Sequence, residues 1–321
     1  MPIYRTGGVK NALVEEELAE FSPPGDTLLT IGVFDGVHLG HKHLIAELLN
    51  QARRSGLLAG VVTFRQHPEE LLSSGRTLPF LTDITTRINL LRGEGVDIIV
   101  PLSFTPELAA VGPRQFVELL QKYLKMRGLV VGPDFALGKG REGDFTALSR
   151  LGEEMGFSVT IVPPLKINGE VVSSTAIRRA LAEGDMKKYR ELSGHPFSLR
   201  GRVVTGAGRG TGLGFPTANL DVSPGQALPA DGVYASLAHI NGKTYRSMTN
   251  IGKDPTFGTN KRTIESYLVD YKGDLYGTEL LVDIVARLRE EKKFASVEEL
   301  KKQLVKDVRR GKTILRSMDV N

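Results

Sequence analysis

The sequence predicts an α/β domain with a parallel sheet covered on both faces, followed by a small antiparallel β-barrel closed by a C-terminal helix. Three observations carry that prediction. From Leu28 to about Gly184, short and nearly continuous apolar runs alternate with stretches of helical period. After Pro196 the rhythm changes to serial strands separated by turn residues. At 321 residues the chain is long enough for two domains, each with its own core.

In the first half, LLTIGVF reads as a buried strand, followed by a helix carrying Leu44, Ile45, Leu48, Leu49 and Ala52 on one face. AGVVTF is the next strand, and TDITTRINLLRGEG is a helix that opens on cap residues and stops at glycine. DIIVPLSF precedes a helix with Phe116, Leu119, Leu120 and Leu124, and LVVG and FSVTIVPP complete the strand set. In the second half, FSLRGRVVTG, GVYASLAHI, KTYRSMTNIG, TIESYLVDY and ELLVDIVARL read as strands. Asn241-Gly242 joins the second and third of these as a two-residue hairpin. Ser296 and Glu299 form a capping box for the last helix, whose apolar face is Val297, Leu300, Leu304 and Val308. The boundary between the halves lies in ALAEGDMKKYRELSGHP, giving domains 1–186 and 187–321.

Composition narrows the function classes. The chain is 40% hydrophobic and 25% charged, with no apolar run near the roughly 18 to 20 residues of a membrane span. MPIYRTGGVK lacks the apolar core of a secretory signal. Zero cysteines exclude disulfides and thiolate metal sites and point to the cytoplasm. The net charge of +5 fits anionic ligands. Lysine and arginine are spread along the chain, so a nucleic acid is not expected as a partner, and the lack of a long apolar run argues against a membrane.

TIGVFDGVHLGHKHL puts histidines where a strand becomes a helix. In a parallel sheet, ligands sit beyond the carboxyl ends of the strands, near the first strand-to-helix turn. His38 and His41, three apart, share one side of the first helical turn, where backbone amides favour phosphate. Imidazole N–H groups there can stabilise charge that builds on phosphoryl oxygens. A zinc site is the competing functional reading, weakened by the absence of cysteine and of a four-residue spacing, and purely structural histidines are the other alternative. Ser173, Ser174 and Thr175 open another helix, with Arg178 one turn in; they can bind phosphate or simply cap the helix.

GAGRGTGLGFPTANL carries glycine at 206, 208, 210, 212 and 214. No choice among them gives the dinucleotide fingerprint, and the Gly-Lys-Thr triplets at Gly242 and Gly311 lack the upstream glycine of a Walker loop. The ladder is either a flexible surface loop or backbone whose amides approach a polyphosphate.

These motifs together resemble one family. GVFDGVHLGHKHL is similar to the H-x-G-H signature of nucleotidyltransferases, in the form carried by bacterial bifunctional riboflavin kinase/FAD synthetases. TFRQHP resembles that family's T-F-x-P-H-P, VGPDFALGKGREGD its V-G-x-D-F-x-F-G-x-x-R-x-G, and VVSSTAIRRAL its S-S-T-x-I-R. Pro216-Thr217-Ala218-Asn219 resembles its riboflavin kinase motif, and the likeness spans essentially the whole chain.

The resemblance implies a Rossmann-like nucleotidyltransferase domain and a riboflavin kinase-like barrel. The barrel would phosphorylate riboflavin to FMN, and the first domain would transfer AMP from ATP to FMN, giving FAD and pyrophosphate. ATP is then the co-substrate and Mg²⁺ the divalent cation. In the adenylyl site, Gly32, Phe34, Asp35, Gly36, His38, His41, Ser173, Ser174, Thr175 and Arg178 would hold ATP. His67, Asp134 and Phe135 are assigned to FMN, although the strand tip at Asp134 suits flavin or adenine equally. In the kinase site, Gly206, Gly208, Gly210, Gly212, Gly214, Thr217 and Asn219 would hold ATP, with Thr217 and Asn219 on the metal. Glu265 would act as general base. Arg65, Gln66, Leu137, Lys253, Asp254 and Tyr267 depart from the family pattern. A flavin- or RNA-binding regulator that keeps the enzyme fold is the alternative, and the intact histidines and Glu265 argue against it.

Overall fold

The computed structural model describes residues 12–72, 78–206, 209–253 and 262–318. The chain forms two compact units, one running to Val172 and one from Ser173, with Leu81–Asp83 grouped with the second.

The first unit begins with α1 (Ala12–Glu20), β1 (Thr27–Ile31), α2 (Leu39–Ser55), β2 (Leu58–Phe64) and the short α3 (Pro68–Leu72). It continues through α4 (Ile84–Gly93), β3 (Ile98–Leu102), α5 (Pro106–Ala109), α6 (Pro113–Leu124) and β4 (Met126–Val131). α7 (Phe145–Met155), β5 (Ser158–Ile161) and a small hairpin of β6 (Lys166–Ile167) and β7 (Glu170–Val171) complete it. The five-stranded sheet has the order β3-β2-β1-β4-β5, and every pairing is parallel.

Continuous apolar strands follow from burial on both faces. Leu29, Val62, Leu129 and Val131 pack with Phe116 and Leu120 of α6. Their neighbours Leu28, Val61 and Val130 pack with Ile45 and Leu48 of α2. Strand order reverses between β1 and β4, so the β1 tip lies at the topological switch point, where such sheets bind ligands.

The second unit opens with α8 (Ser174–Glu183) and α9 (Met186–Ser193). Then come β8 (Phe197–Val204), α10 (Arg209–Leu213), β9 (Ala218–Val222), β10 (Gly232–Ile240) and β11 (Lys243–Lys253). β12 (Arg262–Leu268), β13 (Glu279–Arg289) and α11 (Val297–Ile314) end the fold. Six strands close a barrel in the order β10-β11-β12-β9-β8-β13. Five strands are predicted from sequence; the sixth, β9, is Ala218–Val222, whose Asn219 and Asp221 hide its strand character. Asn241 and Gly242, at φ 48° and 75°, make the expected tight turn between β10 and β11.

The barrel interior is partly polar. Ser236, Ser247, Thr249 and Ser266 are fully buried, and three hydrogen bonds of 2.7–2.8 Å join them into a chain. The outer face at Val233, Ala235, Met248 and Leu288 packs with Val308 and Ile314 of α11. The predicted apolar face of α11 needs correction at its start, where Val297 is 59% exposed. Docking occurs further along, where Gly311 lets the helix come close to Met248. Neither Gly-Lys-Thr triplet is a phosphate loop: one lies in the tight turn and the other within α11.

Candidate active sites

At the end of β1, the Gly32 N–H extends the ladder to the Val62 carbonyl at 3.0 Å. The chain then turns through Phe34, Gly36 and Val37 at φ 51°, 77° and 34°. Left-handed backbone at a non-glycine residue costs about 1–3 kcal/mol, so packing must hold this loop in shape. Phe34, Asp35, Gly36, Val37 and His38 are all buried.

His38 is the N-cap of α2, its Nδ1 accepting from the His41 N–H at 3.2 Å. A neutral imidazole that accepts at Nδ1 carries its proton at Nε2, leaving a donor. The His38 and His41 rings stack with centroids 3.6 Å apart, and Phe34 meets His41 edge-on at 5.1 Å. Gly40 makes room for the stack, because a Cβ there would stand 2.8 Å from the Val172 carbonyl oxygen and 3.1 Å from the His38 ring. Burial holds His41 well below the usual histidine range, and the nearby His38 and Arg87 push it the same way. His41 is therefore neutral, a hydrogen-bonding group with no charge of its own at pH 7.

His67, at the tip of β2, repeats the device. Its Nδ1 accepts from the Glu69 N–H at 3.2 Å at the start of α3, and the residue is 8% exposed. Asp134 and Phe135 follow β4 on the same carboxyl edge of the sheet. The Asp134 carbonyl accepts from Arg141 at 2.7 Å while the residue stays exposed, and Phe135 packs against the core. Ser173 caps α8, its hydroxyl accepting from the Ala176 N–H at 3.3 Å. Ser174, Thr175 and Arg178 occupy the first turns of that helix, which groups with the second unit.

Sequence reasoning missed Arg87. This α4 residue is 0% exposed and donates from Nη1 to the Phe64 carbonyl at 2.7 Å. Its Nη2 lies 3.8 Å from Asp35 Oδ1, and its guanidinium sits 4.5 Å over the Phe80 ring. A lone arginine in a helical repeat reads as a solvent-facing residue, so the sequence carries no signal for it.

The barrel builds its site from strand register. Asn219 of β9 pairs with Glu265 of β12, and Glu265 pairs with Asn250 of β11, giving a row across three strands. Ile264 and Ser266 are buried on the opposite face, so the half-buried row lies outside the barrel. The Asn250 amide donates to Glu291 Oε1 at 3.3 Å. Asn250 was also missed; a polar side chain within strand KTYRSMTNIG is the signal that could have found it.

The glycine ladder is not one loop. Gly210 and Gly212 lie in α10, and Gly214 follows it at φ 84°. A Cβ at Gly206 would overlap the Asn219 amide, and one at Gly210 would overlap the Phe215 carbonyl. Gly208 and Asp254 lie outside the described residues. Phe215 and Tyr267 pack edge to face at 5.2 Å beside the row. Thr217 lies two residues before Asn219, at the entry to β9.

A buried histidine pair at a strand tip in one unit and a Glu265 carboxylate flanked by two asparagines on a barrel in the other fit a two-module transferase. Family models match accordingly: FAD synthetase over residues 21–176 and riboflavin kinase over residues 193–315. The bifunctional riboflavin kinase/FMN adenylyltransferase of Escherichia coli K12 is 38% identical over 288 residues, covering 89% of this chain and 92% of that protein. The Bacillus subtilis 168 protein of the same name is 33% identical over 300 residues, 92% of each chain. The chain belongs to the bifunctional riboflavin kinase/FMN adenylyltransferase family. A solved Streptococcus pneumoniae structure, described as a macrolide-efflux protein, matches with TM-score 0.84 and 31% identity over 92% of this chain and 96% of that one. Among the described residues of the present chain, no helix is long and apolar enough to cross a membrane.

Proposed function

We propose that the two reactions of the family divide between these sites: FMN adenylylation at the β1 and β2 tips, riboflavin phosphorylation at the Asn219–Glu265–Asn250 row. The corresponding domains are 1–186 and 187–321, working in the cytoplasm on riboflavin, FMN, ATP and FAD. The observation that carries the reading is the stacked His38–His41 pair, with His41 held neutral by burial, at the switch point of a parallel sheet. Such a pair stabilises charge on the α-phosphate by hydrogen bonding while the FMN phosphate attacks it and pyrophosphate leaves. Gly32, Phe34, Asp35 and Gly36 shape that pocket, and Ser173, Ser174, Thr175 and Arg178 supply further phosphate contacts. His67, Asp134 and Phe135 take FMN.

In the kinase half, the Glu265 carboxylate orients the ribityl 5′-hydroxyl and accepts its proton as the γ-phosphoryl group moves. Thr217 and Asn219 offer a hydroxyl and an amide oxygen, hard donors that suit magnesium, and Gly206 leaves the Asn219 amide its room. Magnesium, when bound there, would offset the negative charge of the ATP phosphates. Gly206, Gly208, Gly210, Gly212 and Gly214 let backbone approach those phosphates.

Pure protein incubated with riboflavin, ATP and Mg²⁺ is expected to accumulate FMN and then FAD. Failure to form either product sinks the reading. FAD formed from supplied FMN, with none from riboflavin, would leave only its first half.

A further inference from the structure

We propose that Arg87 is a positioning residue for FMN adenylylation, tying the loop that carries His38 and His41 to the loop that carries His67. The inference rests on reading the β1 and β2 tips as the adenylylation site. Burying an arginine completely is costly unless its donors and charge are met, and an apolar side chain of similar size often serves stability as well or better. Stability is therefore a poor explanation for a cation at 0% exposure in α4. Its contacts give a better one.

Arg87 reaches three separate segments. Nη1 donates to the Phe64 carbonyl at 2.7 Å, fixing the last residue of β2, three positions before His67. Nη2 lies 3.8 Å from Oδ1 of buried Asp35, between left-handed Phe34 and Gly36 and three residues before His38. The flat guanidinium covers the Phe80 ring at 4.5 Å, and that ring stands 5.7 Å from the His67 imidazole. Only a forked, planar cation can bond a carbonyl with one arm, face a carboxylate with the other and cover an aromatic ring. A lysine ammonium is a point charge and meets only part of this set.

The strained β1 loop explains why such a tie is needed. Phe34 and Val37 hold left-handed backbone without being glycine, a conformation that persists only where the surroundings enforce it. Asp35 is the handle by which α4 grips this loop, and the same guanidinium sets the end of β2. Arg87 thus fixes the relative placement of the ATP-side and FMN-side histidines without touching either substrate.

The test uses the full-length protein and both of its reactions. Arg87→Met is expected to lower kcat for FAD formation by about 10²-fold, the usual effect of misplacing reacting groups by about 1 Å. The KM values for ATP and FMN should change far less, and FMN formation from riboflavin should stay at the parental rate. Arg87→Lys should recover only part of the loss. Combining Arg87→Met with Asp35→Asn should cost little more than Arg87→Met alone, because losing the guanidinium already cuts its contact with Asp35. Parental kcat in a folded Arg87→Met protein, or a change confined to KM, overturns the proposal. If Arg87→Met does not fold, Arg87→Lys decides: full kcat for FAD formation would rule out the positioning role. His41→Ala, assayed in parallel, separates the two ideas. If it leaves FAD formation intact, the site reading falls; if it abolishes FAD formation while the Arg87 variants are unimpaired, only the Arg87 proposal falls.

Discussion

The two sites are built by opposite means. At the β1 tip, reactive groups sit on a buried loop with three left-handed residues in a row of four, braced by a buried ion pair and stacked rings. On the barrel, Asn219, Glu265 and Asn250 lie on regular strands, half-buried, and are aligned by the hydrogen-bond ladder itself. A loop site depends on residues behind it that never touch a ligand. A register site depends on strand pairing, so changes behind it act through the stability of the barrel rather than through side-chain placement. If the reactions divide between the sites as proposed, each can be damaged alone.

The sharpest break is at Glu265. Glu265→Gln keeps the shape and removes the base, so riboflavin phosphorylation should fall by about 10³-fold. FMN supplied directly should still become FAD; unchanged phosphorylation of riboflavin would remove Glu265 from the chemistry. At the other site, His41→Ala should cut FAD formation by about 10²-fold and spare FMN formation, since one lost donor to a developing charge typically costs that much. Equal loss of both activities in a folded variant would mean that the sites are not separate.

The third test concerns where the barrel unit starts. A fragment spanning 187–321 should fold and make FMN, since every kinase residue named lies within it. One starting at Gly184 should unfold at a higher temperature. It keeps Asp185, which caps α9 by accepting from the Lys188 N–H at 2.9 Å, and Met186, which is 3% exposed. The cap is worth about 1 kcal/mol and the buried methionine about 2. Indistinguishable melting curves would show that the Asp185 cap and buried Met186 add nothing to the fragment's stability.

The smallest effect is at His239, on β10. Its Nε2 lies 2.8 Å from Asp283 Oδ2, and its Nδ1 lies 3.0 Å from the Thr244 hydroxyl. The hydrogen bond to Asp283 raises the His239 pKa above its ordinary value, against the opposing effect of burial. A raised histidine pKa gives stability that is fully present below about pH 6.5 and lost as pH rises through the folded value. His239→Gln should therefore lower the melting temperature more at pH 5.5 than at pH 8.5. The gap should stay within about 1 kcal/mol, because the pair is partly exposed. A larger loss at pH 8.5 would reverse the assignment of charge.

Much of the fold was legible because burial writes itself into apolar residues. The parallel strands read as unbroken apolar runs, and the Asn241-Gly242 turn as a dipeptide. The helix α1 was not read, since ALVEEELAE is short and its acidic run masks the buried Val14 and Leu18. β9 was missed because Asn219 and Asp221 interrupt its apolar pattern, although Asn219 pairs with Glu265 in the barrel ladder. His38 and His41 were visible through their spacing. Arg87 was not, because its partners Asp35 and Phe64 are distant in sequence and meet it only after folding.

The hydroxyl chain through Ser236, Ser247, Thr249 and Ser266 constrains how this barrel can change over generations. In an apolar core, one methylene can be exchanged for another step by step. Here, replacing Ser236 or Thr249 by a hydrocarbon takes from Ser247 or Ser266 its hydroxyl partner in the chain, at about 1–3 kcal/mol. Exchanging both partners of a bond at once can be nearly neutral. Lineages that acquire mutations singly must therefore pass through a weakened protein to reach a wholly greasy interior. The interior of the barrel should thus drift slowly and in correlated steps, and aligned descendants should show these four positions changing together.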